Sequence, residues 1–305
     1  MKLNANDITK SFGKTQALDN FSATFETGHI YGLIGRNGAG KSTFLNILTD
    51  RVYLDSGCVK MDDKITSENP QTLARLKHGT VEMDGLNVKN NTKELAKIHL
   101  MNDANYYFDD EKCGTMIKWA SELVPSFDKE KALTLAKKFS LNLKKTYKGQ
   151  STGNRTIFKD IMALSMNVPF IFFDEPTLGL DAVARSIFYN EVAALLAENE
   201  DVCIVLSTHL IEEIEPLVDR FYMIHEGKNL LCGDKDELLS AISVVRGRKE
   251  SVEEATKNSK VLACTTVLGS YEAVVEGEIA NSENVEILKP SLQELFVRLV
   301  GGENA

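Results

Sequence analysis

The nine residues GRNGAGKST, at positions 35–43, carry the clearest spacing for chemistry in the chain. A glycine, four residues, a glycine, a lysine and a hydroxyl residue form the pattern of a phosphate-binding loop. Its glycines let consecutive backbone N–H groups face one point, where the N-terminus of the next helix adds partial positive charge. Lys41 would reach the β- and γ-phosphates of a nucleotide, and the Ser42 hydroxyl would ligate Mg²⁺. The predicted nucleotide contacts of this loop are Gly35, Asn37, Gly38, Ala39, Gly40, Lys41, Ser42 and Thr43.

Two acidic residues, Asp174 and Glu175, follow the apolar run FIFF and form a second candidate set. Beside a phosphate loop, the first acid at the end of a strand can hold Mg²⁺ directly or through water. The second acid can orient and polarise a water molecule for in-line attack on the γ-phosphate. An acidic turn after a strand is common by itself, so this interpretation depends on the phosphate loop.

A histidine, His209, follows a further apolar run and comes directly after Ser207 and Thr208. Neutral or charged, its imidazole could hydrogen-bond the γ-phosphate and report whether that phosphate is present. A lone histidine is more often a structural residue, so the spacing alone leaves both interpretations open.

The elements that must position these groups alternate between strands and helices. Strands are predicted over 3–8, 21–25, 30–34, 98–101, 170–173, 202–206 and 221–224, and helices over about 41–50, 183–197 and 210–217. Alternation of this kind predicts a parallel sheet with crossover helices. The carboxyl ends of its strands would then carry the phosphate loop, the two acids and the histidine at one edge.

Two further regions do not follow this alternation of strands and helices. From about 92 to 168 the chain is predicted to be mostly helical, with one core-facing stripe of Ile117, Ala120, Leu123 and Val124 and another of Ala132, Leu135, Ala136 and Phe139. Pro125 separates the stripes, and Asp128 is a candidate N-cap for the second helix. The tail from 240 to 305 predicts a strand over 243–246, a helix over 251–258, two or three strands up to 288 and a closing helix over 291–299. Residues 56–62 also resemble residues 78–84, which suggests either a repeated strand hairpin or a chance similarity.

The composition excludes several classes of protein. The 305 residues carry a net charge of -9 with a pI near 5.2, which argues against a nucleic-acid-binding surface. We find no signal peptide and no stretch of 18 apolar residues, so a role at the membrane is expected to depend on a partner. The five cysteines lack disulfide or metal-ligand spacing and are expected to be small buried hydrophobic residues in a reducing cytosol.

The order of these motifs over residues 1–235 resembles the nucleotide-binding subunit of ABC transporters. The resemblance implies a P-loop NTPase core with an antiparallel β subdomain, a helical subdomain nested at about 92–168, and a small α+β domain at 240–305. In it, the residues LGLD at 178–181 stand at the D-loop, so Asp181 is an expected nucleotide contact. Phe12 stands where the family stacks an aromatic ring on adenine, and His209 stands at the switch histidine.

Two motifs depart from the family pattern. The signature Leu-Ser-Gly-Gly-Gln is replaced by QSTGN at 150–154. The resemblance still implies that Ser151 and Gly153 contact the γ-phosphate held by a second subunit, while Thr152 places a Cβ where the backbone should approach phosphate closely. At the Q-loop, Asn102 followed by Asp103 stands where a glutamine is usual. Either side chain could serve there, but each is one methylene shorter, so the reach to Mg²⁺ or the attacking water is in question.

The surface that would meet a partner is suggested by aromatic residues at 105–108. In this family the region borders the groove that receives a permease, so Tyr107 and Phe108 are predicted permease contacts, with core packing as the equal alternative. The altered signature and the closing residues PSLQELF at 290–296 more narrowly resemble ATPase subunits of bacterial ABC-2-type exporters.

The function predicted from the sequence is ATP binding and hydrolysis that powers a separate membrane permease, with ATP and Mg²⁺ as cofactors. Lys41, Glu175 and His209 are the predicted catalytic residues, and Asp174 and Ser42 the metal ligands. The resemblance implies a homodimer or a heterodimer with a paralogous subunit and a cytoplasmic position on the inner face of the membrane. The acidic net charge predicts no nucleic-acid partner. The exporter cargo would be drugs, antimicrobial peptides or lipids. The alternative is a soluble ABC-type switch not coupled to transport. A GTPase is disfavoured because no Asn-Lys-x-Asp motif follows the acidic strand.

Overall fold

The central sheet of the computed structural model contains the strand that leads into the phosphate loop. The structure describes residues 1–55, 80–83, 86–87, 92–267, 269–277, 279 and 284–304. In spatial order the six strands are β10 (Lys228–Asp234), β9 (Arg220–His225), β3 (Ile30–Ile34), β8 (Cys203–Thr208), β7 (Phe170–Asp174) and β6 (Ile98–Met101). All pairings are parallel except that of β10 with β9. The predicted parallel sheet is therefore confirmed.

Every residue of the three central strands β3, β8 and β7 is buried. A parallel sheet needs crossover connections, and these cover both faces, so its strands are apolar runs without alternation. Helix α1 (Lys41–Leu48) follows β3, helix α6 (Ala182–Glu198) follows β7, and the short helix α7 (Ile211–Ile214) follows β8. The carboxyl ends of β3, β6, β7 and β8 consequently meet at one edge of the sheet.

An antiparallel sheet packs beside this core. Its strands, in order, are β2 (Thr15–Glu26), β1 (Lys2–Phe12), β4 (Thr80–Met83) and β5 (Leu86–Asn87). The strands predicted over 3–8 and 21–25 are confirmed and are longer than expected. Of the similar segments 56–62 and 78–84, the first lies outside the described residues, and only 80–83 of the second are described, as strand β4.

The region 92–168 contains α2 (Thr92–Leu95), α3 (Cys113–Leu123), α4 (Lys129–Lys138) and α5 (Thr152–Leu164), with β6 between the first two. The stripe on α4 is buried as predicted, and Asp128 caps this helix by accepting a hydrogen bond from the Lys131 N–H. The prediction for Leu123 is wrong: its side chain is 79% exposed. Helix α3 ends at this residue, and the extended Val124 packs against the core in its place.

The tail forms a third, antiparallel sheet with helices against it. The order is β14 (Val285–Leu288), β11 (Ile242–Gly247), β13 (Ser270–Glu276), β12 (Lys260–Val267) and β15 (Glu303–Asn304), and the helices are α8 (Lys235–Ala241), α9 (Lys249–Ala255) and α10 (Leu292–Gly301). The expected α+β character is confirmed, whereas β10 and α8 were not foreseen. The proposed boundary at 235–240 falls within α8, and the division into domains stays a prediction.

The closing helix α10 begins with a complete capping box. The Ser291 side chain accepts from the Glu294 N–H, and the Glu294 carboxylate accepts from the Ser291 N–H. Its buried residues Leu292 and Leu295 belong to the same apolar cluster as Ile211 and Ile214 of α7. The tail is thus packed directly against the segment that follows His209.

Two remaining predictions concern cysteines and membrane spans. Cys113 and Cys203 are buried as expected, Cys264 is half-buried, and Cys58 lies outside the described residues. Cys232 is exposed, contrary to the prediction, because it lies on the edge strand β10. Within the described ranges, no helix combines the length and the apolar character needed to cross a bilayer.

Candidate nucleotide-binding site

The loop between β3 and α1 depends on a glycine at position 40. Gly40 has a φ of 111°, in the left-handed region that side chains rarely adopt. A Cβ at this position would lie 2.4 Å from the carbonyl oxygen of Ala17 and 2.9 Å from the Leu18 side chain. The loop therefore packs too closely against β2 for any other residue, and this contact fixes its curvature.

A cavity of about 200 Å³ opens over this loop. Its described lining residues are Ala17, Arg36, Asn37, Gly38, Ala39, Gly40, Lys41, Ser42, Thr43 and Glu175. Seven of the eight loop residues expected to contact nucleotide line it, all except Gly35. Ala17 and Arg36 were not foreseen. Arg36 occupies a variable position of the motif, and Ala17 comes from another sheet, so only the folded chain brings it here.

Lys41 projects into this cavity from the first turn of α1. Its side chain is only 5% exposed, and Nζ donates hydrogen bonds to the Gly35 carbonyl at 2.7 Å and the Arg36 carbonyl at 3.3 Å. Nζ also lies 3.5 Å from Oε1 of Glu175. The loop carbonyls thus hold the ammonium inside the curve of the loop, where it can meet phosphate oxygens.

Asp174, the last residue of β7, is buried beside the loop. It accepts a hydrogen bond from the Ser207 hydroxyl at 2.9 Å, and the Ser42 hydroxyl lies beside it. Burial raises the pKa of Asp174 above its usual value, and the two hydroxyls oppose this only in part. A buried carboxylate beside a serine hydroxyl offers the hard oxygen ligands that Mg²⁺ prefers, so these residues fit the metal.

Glu175 adopts a φ of 52°, which is uncommon for a residue other than glycine. Its N–H donates to the Ser207 carbonyl at 2.8 Å, which holds the residue at the end of β8. The Thr208 hydroxyl donates to Oε2 at 3.1 Å, and His209 Nδ1 lies 3.0 Å from both carboxylate oxygens. The carboxylate is therefore oriented by Thr208 at the end of β8 and by His209 directly after it, and it lines the cavity. The sequence did not reveal the contribution of Thr208.

Besides Gly35 and Asn102, four more predicted nucleotide contacts lie outside the described cavity lining. Phe12 is 52% exposed at the end of β1, with Lys10 Nζ 5.2 Å from its ring centroid. Ser151 is the N-cap of α5 and accepts from the Asn154 N–H, and Asp181 is the N-cap of α6 and accepts from the Ala184 N–H. A Cβ at Gly153 would lie 2.6 Å from the Gly179 carbonyl, so this glycine is required by packing within the chain. Their roles as nucleotide contacts stay predictions.

Asn102 directly follows β6 and is buried. Its amide Nδ2 donates to Oδ1 of Asn46 on α1 at 3.4 Å, and it is not among the described residues that line the cavity. Its shorter side chain thus bridges two elements behind the loop. Contact with Mg²⁺ or the attacking water stays a prediction.

Tyr107 and Phe108, the predicted permease contacts, differ in their surroundings. The Tyr107 ring packs against Phe158 and Tyr147 with centroid distances of 5.0 and 5.4 Å, and burial raises the pKa of its hydroxyl. Phe108 is 67% exposed and meets only the edge of Trp119 among the described aromatic rings. Core packing therefore accounts for Tyr107 and leaves Phe108 on the surface.

The fold and the site together define a P-loop ATPase. Residues 18–178 match the ABC transporter family, more than half of the chain, and the chain therefore belongs to this family. It is an ATP-binding protein with the ATPase core of that family.

Curated relatives cover most or nearly all of the chain. The bacitracin transport ATP-binding protein BcrA of Bacillus licheniformis is 27% identical over 320 residues, covering 97% of this chain and 96% of that protein. The daunorubicin resistance ATP-binding protein DrrA2 of Streptomyces coeruleorubidus is also 27% identical, covering 97% and 94%. The ABC transporter ATP-binding protein YtrB of Bacillus subtilis is 27% identical and covers 76% of this chain and 71% of its own length.

Solved structures support the same fold. An ATP-binding subunit of an ABC transporter superposes with a TM-score of 0.65 at 19% identity, covering 79% of this chain and 92% of that one. A dimeric bacterial ABC transporter cassette superposes with a TM-score of 0.61 at 19% identity, covering 76% and 98%. The expected P-loop NTPase core is thereby confirmed.

Proposed function

We propose that this chain hydrolyses ATP as the motor subunit of a bacterial ABC exporter. The observation that carries this proposal is the meeting of Lys41, Asp174 and Glu175 at the phosphate loop, with His209 on the Glu175 carboxylate. Phosphoryl transfer to water needs little covalent chemistry from a protein. Catalysis depends on positioning and on stabilising charge, and these side chains supply both.

Lys41 binds the β- and γ-phosphates in this proposal. Its ammonium is held by the Gly35 and Arg36 carbonyls, so a triphosphate in the cavity meets a cation that is already positioned. The N–H groups of the loop and the N-terminus of α1 add positive potential at the same point. Phe12, exposed at the end of β1, supplies a ring face for the adenine.

Mg²⁺ would be held by the Ser42 hydroxyl and the Asp174 carboxylate. When bound, the metal neutralises charge that develops on the phosphate oxygens. Burial raises the pKa of Asp174, and a nearby divalent cation would favour its ionised form. The Ser207 hydroxyl donates to one oxygen of this carboxylate, which limits rotation of the side chain.

Glu175 acts as the general base that accepts a proton from the attacking water. Thr208 and His209 hold its carboxylate in place, and His209 is therefore a candidate both for orienting Glu175 and for sensing the γ-phosphate. Which ring nitrogen carries the proton follows from this contact: donation to the carboxylate requires the proton on Nδ1.

A complete site is proposed to need a second ATPase subunit, either another copy or a paralogue. The dimeric cassette that shares this fold supports such an arrangement. Ser151 and Gly153 of one subunit would then approach the γ-phosphate of the other. Thr152, exposed at the first turn of α5, would make that approach less close than a glycine does.

The permease is proposed to be a separate membrane protein. Relatives named for bacitracin transport, daunorubicin resistance and Nod factor export support coupling to export. Their cargoes differ chemically, which is expected if the permease rather than this subunit selects the cargo. The subunit would work at the inner face of the membrane. Exposed Phe108, rather than packed Tyr107, is the better candidate contact.

The experiment that tests the proposed function is the substitution Glu175→Gln. Removing the base should lower ATP turnover by about 100-fold or more, because general base catalysis contributes about 10²–10⁴-fold. ATP binding should persist, and an ATP-bound dimer should accumulate in size-exclusion chromatography. Glu191→Gln, which removes only the ion pair with Lys138, is the matched control and should hydrolyse ATP normally. Turnover at the wild-type rate in Glu175→Gln would refute the proposal.

A further inference from the structure

Lys159 lies on α5, the helix that begins with the altered signature, and its charge is turned inward. The side chain is 10% exposed, and Nζ donates to the carbonyl of Asn102 at 3.1 Å and to the carbonyl of Asp103 at 2.7 Å. Both carbonyls belong to the loop that follows β6. Hydrogen bonds from an ammonium are roughly twice as strong as neutral ones, so this side chain holds the loop backbone firmly.

The Asn102 side chain continues the connection toward the phosphate loop. Its Oδ1 accepts from the Ala104 N–H at 3.2 Å, and its Nδ2 donates to Asn46 Oδ1 at 3.4 Å. Asn46 in turn donates from Nδ2 to the carbonyl of Ser42 at 2.7 Å. A chain of hydrogen bonds therefore runs from the signature helix, through the loop after β6, to the residue proposed to bind Mg²⁺.

The charged groups around Lys159 do not offer it a better partner. The Asp103 carboxylate is fully exposed and lies 3.8 Å away. The adjacent Asp160 is buried with no hydrogen-bond partner among the described residues, and burial raises the pKa of its carboxyl well above the usual value. Arg155, one turn earlier, repels the ammonium, and burial lowers the pKa of Lys159. The two loop carbonyls are thus its closest partners.

We infer that Lys159 is a positioning residue for ATP hydrolysis: it fixes the loop after β6 so that Asn102 stays in contact with Asn46 and the Ser42 segment. This inference rests on the proposed ATPase function. The signature lies at the start of α5. A second subunit that contacts the signature would therefore be connected, through this hydrogen-bond network, to Ser42, the proposed metal ligand. It explains how an asparagine serves where a longer glutamine is usual: it bridges two elements and need not reach into the cavity.

The test is a double-mutant cycle on the purified full-length chain. Lys159→Met keeps the apolar stem and removes the donor, and Asn102→Ala removes the bridging amide. Each single variant should lower kcat about tenfold, because loss of either the ammonium or the bridging amide breaks the same network, while KM for ATP stays within about twofold. The double variant should lose no more than either single variant, because coupled residues are not additive. Lys159→Arg should restore most of kcat.

Two results would overturn the inference. One is wild-type turnover in Lys159→Met, and the other is a loss of about 100-fold in the double variant, which independent sites would produce. If Lys159 had only a structural role, Lys159→Met would lower the melting temperature, and its effect on kcat would be the same with or without Asn102. If Lys159→Met does not fold, Lys159→Gln takes its place in the cycle under the same criteria. Lys138→Met, which loses an exposed pair with Glu191, is the control and should leave kcat unchanged.

Failure of the inference is distinguishable from failure of the proposed function. If the function is wrong, the wild-type chain does not turn over ATP and Glu175→Gln changes nothing. If only the inference is wrong, wild-type turnover and its dependence on Glu175 remain, and the cycle is additive.

Discussion

Two buried carboxylates, one in each of two sheets, have neighbours of opposite kinds. Asp174 ends β7 in the parallel sheet, accepts a hydrogen bond from the Ser207 hydroxyl and lies beside the Ser42 hydroxyl. Glu272 lies on β13 in the antiparallel sheet of the tail and is fully buried between Arg246 Nε at 2.6 Å and Arg298 Nε at 2.8 Å. One buried acid has neutral partners and the other has two cations.

The pKa directions follow from these partners. Burial raises the pKa of Asp174, and its hydroxyl partners do not compensate. Burial alone would also raise the pKa of Glu272, but the hydrogen bonds and charges of Arg246 and Arg298 together lower it. A buried charge that has no cation bound directly to it is costly and persists where function needs it, whereas a directly paired one can be structural. Asp174 therefore belongs to a site prepared for a cation, whereas Glu272 belongs to an internal ion pair.

Strand direction explains where each kind of acid can occur. In the central sheet, β3, β6, β7 and β8 run the same way, so their carboxyl ends place loops and side chains at one edge. In the tail sheet, neighbouring strands run in opposite directions. Successive strand ends then alternate between two edges, and Glu272 instead meets Arg246 directly across the register of two strands. Only the first arrangement gathers reactive groups from distant parts of the chain.

The central region and the tail should differ most in how removal of a lysine from each changes the affinity for ATP. Lys41→Ala should weaken ATP binding by at least about 100-fold, because two hydrogen bonds from a charged group to phosphate are lost at about 1.5–3 kcal/mol each. Lys260→Ala removes only an exposed ion pair with Glu276 in the tail and should leave ATP affinity unchanged. Titration with a fluorescent ATP analogue measures both. Equal losses of ATP affinity in the two variants would show that Lys41 has no special role in binding ATP.

The two buried acids should respond to neutralisation in opposite senses. Asp174→Asn should lower ATP turnover by about 100-fold through loss of a metal ligand, with a melting temperature at or above that of the wild type. Glu272→Gln should lower the free energy of unfolding by about 2 kcal/mol, since two arginines lose their charged acceptor. Turnover per folded molecule should stay normal. Colorimetric phosphate release measures turnover, and urea unfolding measures stability, in both variants. A Glu272→Gln variant that is as stable as the wild type but inactive would contradict the structural role of Glu272.

A smaller effect is expected in the pH dependence of stability. The pKa of folded Asp174 is raised above its ordinary 3.8, so its contribution to stability is present below that pH and is lost as pH rises through the folded value. The pKa of folded Glu272 is lowered from 4.5, so its contribution is present above that pH and is lost as pH falls. Between about pH 3 and 7, the free energy of unfolding of the wild type should fall relative to that of Asp174→Asn as pH rises, and it should rise relative to that of Glu272→Gln. Urea unfolding across this range measures both slopes, and slopes of the same sign would count against the assignment.

Much of this protein can be predicted from local sequence patterns. The glycine spacing at 35–43, the apolar run before Asp174 and Glu175, and the alternation of strands and helices predicted the phosphate loop, the parallel sheet and the family, because each depends on local backbone and hydrophobic patterns. Periodicity failed for Leu123, since a repeating pattern does not show where a helix stops and the chain turns away. It also missed β10, an edge strand whose pairing is defined only by its neighbour β9.

Contacts between side chains that are distant in the sequence arise only in the folded chain. Ala17 beside Gly40, Thr208 on Glu175, and Lys159 on the loop after β6 join residues separated by tens of positions, and no local pattern encodes such contacts. The same holds for the two buried acids. Both are ordinary carboxylates in the sequence, and their opposite pKa shifts arise because folding placed hydroxyls around Asp174 and guanidinium groups around Glu272. Burial strengthens electrostatic interactions, so the identity of the neighbours, rather than of the residue, sets the role of each acid.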